Sequence, residues 1–147
     1  MPLPSELIRQ LTEEHIAFVR RSGLKAEVLE PGHVRLRMPL AGNENHVGSM
    51  YAGALFTLAE LPGGVLALTS FDSQRFYPIV KEASLRFLRP AGSDVRVEAR
   101  LSAEELARIA EEAMVKGKAE YRLELALTDE AGLLVAQSNA VYQLRSR

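Results

Sequence analysis

From Met50 to Thr69 the chain reads MYAGALFTLAELPGGVLALT, helix formers whose apolar residues fall on every side of a helix rather than on one stripe. A helix without a polar face has to be wrapped by other elements, and the remaining segments supply a sheet to do it. Lys25 to Leu29 and the alternating run His33 to Leu40 flank EPG, a tight turn, and predict a β-hairpin. IVKEASLRFL (79–88) and VRVEARL (95–101) are joined by RPAGSD, and KAEYRLELAL (118–127) and LLVAQSNAVYQL (133–144) by TDEAG, so each pair also reads as a hairpin. The order α, β, β, buried α, β, β, short α, β, β has no parallel βαβ rhythm. It predicts an α+β domain in which an antiparallel sheet wraps a long central helix.

Two further helices complete the pattern. Leu7, Ile8, Leu11, His15, Phe18 and Val19 recur at helical spacing after Ser5 and stop at Gly23, predicting an amphipathic helix over residues 1–22 ahead of a core spanning 24–145. Ser102 is placed to cap AEELARIAEEAMVK, whose Leu106, Ile109, Ala110 and Ala113 form one apolar stripe; the mixed charges of RIAEEAMVKGK are its solvated face. No repeat, low-complexity tract or linker divides the 147 residues, so one domain over 1–147 is expected.

The long apolar run tempts a membrane assignment, but Glu60 and PGG interrupt it and the flanking segments alternate like half-buried strands, so a span is rejected. The first fifteen residues carry acids and no apolar stretch of signal-peptide length. With no cysteine there is no disulfide, thiolate nucleophile or thiolate metal site, and a cytoplasmic location is expected. A net charge of -1 gives no whole-domain attraction to polyanions, which argues against nucleic acid as a partner.

Glu60 is the only formally charged residue between Val47 and Phe71. The segment NHVGSMYAGALFTLAE around it, together with the element order, resembles the hot-dog fold of acyl-CoA thioesterases, in particular the phenylacetate-degradation type and a thioesterase-like branch near it. The family pattern of an Asn, a Gly, a His-Gly-Gly step opening the helix and a Leu-Ala-Asp or Leu-Ala-Glu corresponds here to Asn45, Gly48, Tyr51-Ala52-Gly53 and Leu58-Ala59-Glu60. The resemblance implies that Glu60 attacks the thioester carbonyl or activates a water. It also implies that the N–H of Ala52, or of Gly53, holds the developing oxyanion, and that Asn45 orients the attacking group. One helical turn beyond Glu60, where some relatives carry a hydroxyl, this chain has Gly64.

The same residues can be read without the family. A helix start offers unsatisfied N–H groups and the positive end of a dipole, suited to an oxygen gaining charge, and Ala52, Gly53 and Ala54 let a carbonyl approach the backbone. Ala52 and Glu60 are eight residues apart, about 12 Å of helix, too far to share one reacting carbonyl. Either residues 46–54 are extended and the helix begins later, or the site combines Glu60 of one subunit with residues of another, which the resemblance favours. Burial of Glu60 would raise its pKa and make it a better base near neutral pH. The bland alternative is a buried carboxylate satisfied by an arginine or a cap.

PGG at 62–64 reads equally as a kink that opens room for a ligand and as close helix-to-sheet packing. His46 is a candidate substrate contact or a loop histidine in water, Tyr51 a pocket wall, hydrogen-bond donor or packing residue, and Leu55, Phe56 and Phe87 suggest an apolar pocket. His15 fits a boundary packing position and His33 a solvent-facing strand position. The three histidines have no metal-binding spacing, and no metal and no cofactor are expected, CoA entering only as part of the substrate. Arg86 and Arg89 lie where relatives bind CoA phosphates, although each alone also fits a polar strand face. Ser49 sits in no G-x-S-x-G elbow, and the phosphate-cradling glycine motifs are absent.

The function expected is hydrolysis of an acyl-CoA or acyl-carrier thioester. The alternative is a hot-dog protein that binds an acyl ligand without turnover, and a hydratase is weaker because no acid and histidine pair has the required spacing. An uncovered sheet edge would favour a homodimer, or a dimer of dimers.

Overall fold

The computed structural model describes residues 3–147. An N-terminal arm of α1 (Ser5–Gln10), a π turn (Leu11–His15) and α2 (Ala17–Ser22) precedes strands β1 (Lys25–Glu30) and β2 (His33–Met38). The central helix α3 (Ala52–Ser70) follows, then β3 (Phe76–Phe87), β4 (Val95–Arg100), α4 (Ala103–Lys116), β5 (Lys118–Asp129) and β6 (Leu134–Ser146). The strands form one antiparallel sheet in the order β1-β2-β4-β5-β6-β3. The sheet curls around α3, which touches all six strands. Helix α3 is long and apolar enough to cross a membrane by length and composition, but it is the core of the sheet's curl, with Leu58 and Leu66 fully buried.

Alternation does what the sequence predicts. Val34, Leu36 and Met38 of β2, Val95, Val97 and Ala99 of β4, and Tyr121, Leu123, Leu125 and Leu127 of β5 all face the helix. The β1–β2 and β5–β6 hairpins form as expected. Ser102 Oγ accepts the Glu105 N–H at 3.0 Å, and α4 buries Ile109 and Ala113.

Two expectations are corrected. Strands β3 and β4 are not a hairpin: β3 pairs with β6, and β4 lies between β2 and β5. The connection after β3 carries the chain from one edge of the sheet to β4, two strands beyond β6, instead of turning back. It buries Ala91 completely, and the Ala91 carbonyl accepts the Met50 N–H at 2.9 Å just ahead of α3. The N-terminal helix is also broken. Ile16 is extended (ψ 113°), which separates the π turn from α2, although Gly23 ends α2 in the left-handed conformation (φ 77°) that favours glycine.

The two edges of the sheet are unlike. On β1 the Ala26 N–H donates to Glu13 Oε2 at 2.8 Å and the Ala26 carbonyl accepts from Arg9 at 2.6 Å, so the N-terminal arm covers that edge. Strand β3 is twelve residues long, carries Val80 and Phe87 exposed, and has β6 as its one neighbour.

Candidate functional site

Helix α3 begins at Ala52, directly after extended Tyr51 (ψ 141°), so the possibility that the helix starts later is overturned. Residues 43–51 form a tight loop instead. Asn45 Oδ1 accepts the N–H groups of Val47 (2.9 Å) and Ser49 (3.0 Å), and Gly48 turns the chain at φ 84°. Tyr51 N–H donates to the Asn43 carbonyl, and the first N–H bonded into the helix is that of Ala54, to the Tyr51 carbonyl at 3.0 Å. The N–H groups of Ala52 and Gly53 have no partner among the described residues, and no side chain caps them.

Ala52 and Asn45 share a shallow cleft with Leu55, Phe87 and Arg89. The other candidates are placed elsewhere. Tyr51 turns away, 59% exposed, and its ring covers Gly53, where a Cβ would stand 2.6 Å from it. His46 is exposed in the loop, and Arg86 is exposed on β3 opposite Gln137. Arg86 and Arg89 therefore do not converge: Arg89 alone lines the cleft.

Glu60 is two turns along the same helix, about 12 Å from Ala52. Along α3 the sheet leaves one stripe less covered than the rest, running through Gly53, Phe56, Thr57, Glu60, Gly64 and Leu68. Glu60 is the only charge on that stripe. Burial alone pushes its carboxyl above the ordinary carboxylate range, and among the described residues no arginine, cap or hydrogen bond holds it ionised. Among the described residues, then, the bland alternative of a carboxylate satisfied by an arginine or a cap does not hold.

Its backbone is fixed from the other side. Tyr142 donates its hydroxyl to the Glu60 carbonyl at 2.7 Å and Tyr121 donates to the Gly63 carbonyl at 2.8 Å, their rings stacked with centroids 5.4 Å apart. Burial raises both phenols well above their ordinary value, so they remain neutral donors. A Cβ on Gly63 would overlap the Tyr142 ring, whereas one on Gly64 would meet only Pro78 Cγ at 3.9 Å. For Gly63, close helix-to-sheet packing accounts for the glycine, and α3 continues through Pro62 to Ser70. The tyrosine clamp was not foreseen from the sequence, although inward alternation of β5 and β6 could have placed both rings against the helix.

His33, expected to face solvent, is half-buried and bonds Glu98 at 3.0 Å across β2 and β4. Among the described residues no group of three or more His, Asp or Glu side chains could hold a metal ion.

The sequence matches a domain of unknown function, DUF4442, over residues 5–144. A solved structure of a Pseudomonas aeruginosa protein of unknown function, described as a probable thioesterase, is 74% identical to this chain, covers 100% of it and 99% of its own length, and superposes with a TM-score of 0.95. A mutant thioesterase from the same organism is 16% identical, with 100% and 97% of the two chains covered and a TM-score of 0.76. A thioesterase from Haemophilus influenzae is 15% identical, with 99% and 93% covered and a TM-score of 0.76. The last two likenesses speak to the fold. No curated protein matches the chain. By its sequence the chain belongs to the DUF4442 family, and its curled sheet on a central helix is the hot-dog fold of its thioesterase neighbours.

Proposed function

We propose that the protein is a thioesterase that hydrolyses an acyl-CoA or acyl-carrier thioester, working as a homodimer with Glu60 as the carboxylate of the site. The observation that carries the reading is a half-buried carboxylate without a partner among the described residues, on the open stripe of a helix whose first N–H groups likewise have none. The 74% identical relative described as a probable thioesterase supports the same chemistry.

The reaction balances with these groups alone. Glu60 takes a proton from water, the hydroxide adds to the thioester carbon, and the oxygen, now negative, is held by the Ala52 or Gly53 N–H of the partner. Collapse breaks the C–S bond, and the proton passes to the departing thiolate, leaving a carboxylic acid and a thiol. Direct attack by the carboxylate, followed by hydrolysis of the anhydride, uses the same positions. Asn45 shapes the loop that leads into the helix start, and Arg89, which lines the cleft, is the residue that would meet CoA phosphate.

The 12 Å between Ala52 and Glu60 within one chain is what calls for a second chain. If α3 meets its copy antiparallel across a two-fold axis, so that Glu60 faces the partner's helix start, the axis passes midway, at Phe56. That residue is 42% exposed on the same stripe, and β3, at the edge of the sheet, offers a strand for sheet continuation. Phe56→Asp should then halve the particle mass seen by light scattering. A wild-type chain that is already monomeric would end the dimer proposal.

Gly64 favours a second reading, since no hydroxyl stands one turn beyond Glu60 to hold water: a protein that binds acyl thioesters without cleaving them. A panel of acyl-CoA and acyl-carrier thioesters incubated with the wild-type protein decides between the two. Free thiol released faster than in buffer supports the enzyme. Binding by calorimetry without thiol release supports the binder and overturns the enzyme.

A further inference from the structure

Beneath the N-terminal arm, where α1 comes into contact with α3, two apolar walls flank an open groove. Leu3, Leu7 and Leu11 recur every four residues on one side, and Gly64, Val65 and Leu68 of α3 form the other, leaving a groove of about 490 Å³. Packed helices normally interdigitate at about 8–10 Å between axes and leave few voids larger than a water, so an open apolar groove between them needs a reason. Its volume falls within the range of roughly 300–1,000 Å³ typical of small-molecule sites.

Gly64 supplies the reason. Unlike Gly63 it is not required by packing, since a Cβ there would meet only Pro78 Cγ at 3.9 Å, and it lies inside a regular helix where φ makes no demand for glycine. A helix-interior glycine is less favourable than alanine, so its presence at an unconstrained position points to the space it leaves. It sits one turn past Glu60 on the same open stripe and also lines the groove, so it is the doorway between them.

We propose that the groove binds the hydrocarbon tail of the acyl group, with the chain running from the carbonyl at Glu60 over Gly64 and along α3 toward Leu68. The assignment rests on the thioesterase reading of Glu60. The groove's polar lining is Thr12, whose hydroxyl donates to the Ile8 carbonyl at 2.8 Å, His15, Ser73, and Arg147, whose Nε donates to the Ser73 carbonyl at 2.8 Å and whose guanidinium stacks over Tyr77; the rest of the wall is apolar and suits a hydrocarbon tail rather than phosphate. Glu60 to Leu68 is about 12 Å of helix, the extended length of roughly ten carbons at about 1.3 Å each, so medium-chain acyl groups are the substrate class.

The test uses the full chain and straight-chain acyl-CoA thioesters from acetyl to palmitoyl. Each buried methylene should raise kcat/KM about threefold to fourfold up to roughly ten carbons, after which the gain stops. Gly64→Leu should close the doorway and lower the decanoyl-to-butyryl ratio by about tenfold or more. Leu7→Trp fills the groove from the opposite wall at a position 39% exposed, and should lower the same ratio even if the α3 variant folds poorly. The same chain lengths are also titrated by calorimetry as S-alkyl-CoA thioethers, which cannot be hydrolysed.

Affinity that climbs with thioether length and is flattened by Gly64→Leu, without cleavage of any thioester, supports the groove and overturns the thioesterase reading. Thioesters cleaved at rates independent of chain length, in wild type and both variants alike, overturn the groove and leave that reading intact. Length-independent binding together with a changed particle mass in Gly64→Leu would give the groove to a second copy of the chain and also overturns the assignment.

Discussion

Glu60→Gln should lower kcat/KM for the best thioester by about 10²–10⁴-fold, the usual contribution of a positioned general base, while leaving substrate binding within a few-fold. The amide keeps the size and much of the shape of the acid but cannot take a proton from water or attack a carbonyl. In the wild type, kcat/KM should rise with pH through the raised pKa of Glu60 and then level off, because the ionised form is the active one. The same shift makes a stability prediction of definite sign. In the unfolded chain the group ionises near its ordinary value of about 4.3, whereas the folded chain holds the proton more tightly. The favourable contribution is therefore complete below the unfolded pKa and is lost as pH rises through the folded one. Glutamine has no charge to bury, so Glu60→Gln should raise Tm relative to wild type, and by more near neutrality than at about pH 4. A variant that keeps wild-type turnover removes Glu60 from the chemistry. A Tm difference that does not change with pH would mean the carboxylate is compensated in the assembled protein.

How far the sequence foretells this protein depends on which interactions are local. The buried helix, its β-strand wrapping and the two true hairpins follow from periodicity and turn residues because each is decided within one contiguous stretch of chain. The β3–β4 misreading has a non-local cause: sequential strands usually neighbour each other, and RPAGSD looks like any other turn until Ala91 is found fully buried, its carbonyl bonded to the Met50 N–H ahead of α3. The break at Ile16 likewise comes from tertiary demand, since Glu13 and Arg9 must reach Ala26 on the edge of β1. Glu60 was legible because a charge stands out in an apolar run. The tyrosine clamp was not, because Tyr121 and Tyr142 look like ordinary inward strand residues until the helix carbonyls they meet are known.

Two adjacent glycines should respond to the same change with opposite signs. Gly63→Ala should destabilise the fold by about 1–3 kcal/mol or more, as overpacking does, whereas Gly64→Ala should stabilise it by about 0.5–1 kcal/mol through the unfolded chain. The added methyl at Gly63 would overlap the Tyr142 ring, and that ring has nowhere to retreat. It is 1% exposed, stacked on Tyr121 at 5.4 Å, and tied by its hydroxyl to the Glu60 carbonyl at 2.7 Å. If α3 lifts off instead, the bond from Tyr121 to the Gly63 carbonyl lengthens as well. The turn at Pro62 already lacks one backbone N–H, so the two phenols are what pin the helix where its own ladder is weakest. Glu60 lies on this pinned turn, and so Gly63→Ala should lower turnover even at temperatures where the variant is fully folded. Tyr142→Phe separates the two contributions: it keeps the stacked ring, loses a bond of about 0.5–1.5 kcal/mol, and should shift Tm less than Gly63→Ala while still reducing kcat. Equal Tm values for wild type and Gly63→Ala in thermal denaturation would mean that α3 is free to move off Tyr142. The position of Glu60 would then have to be set from the partner's side of the interface.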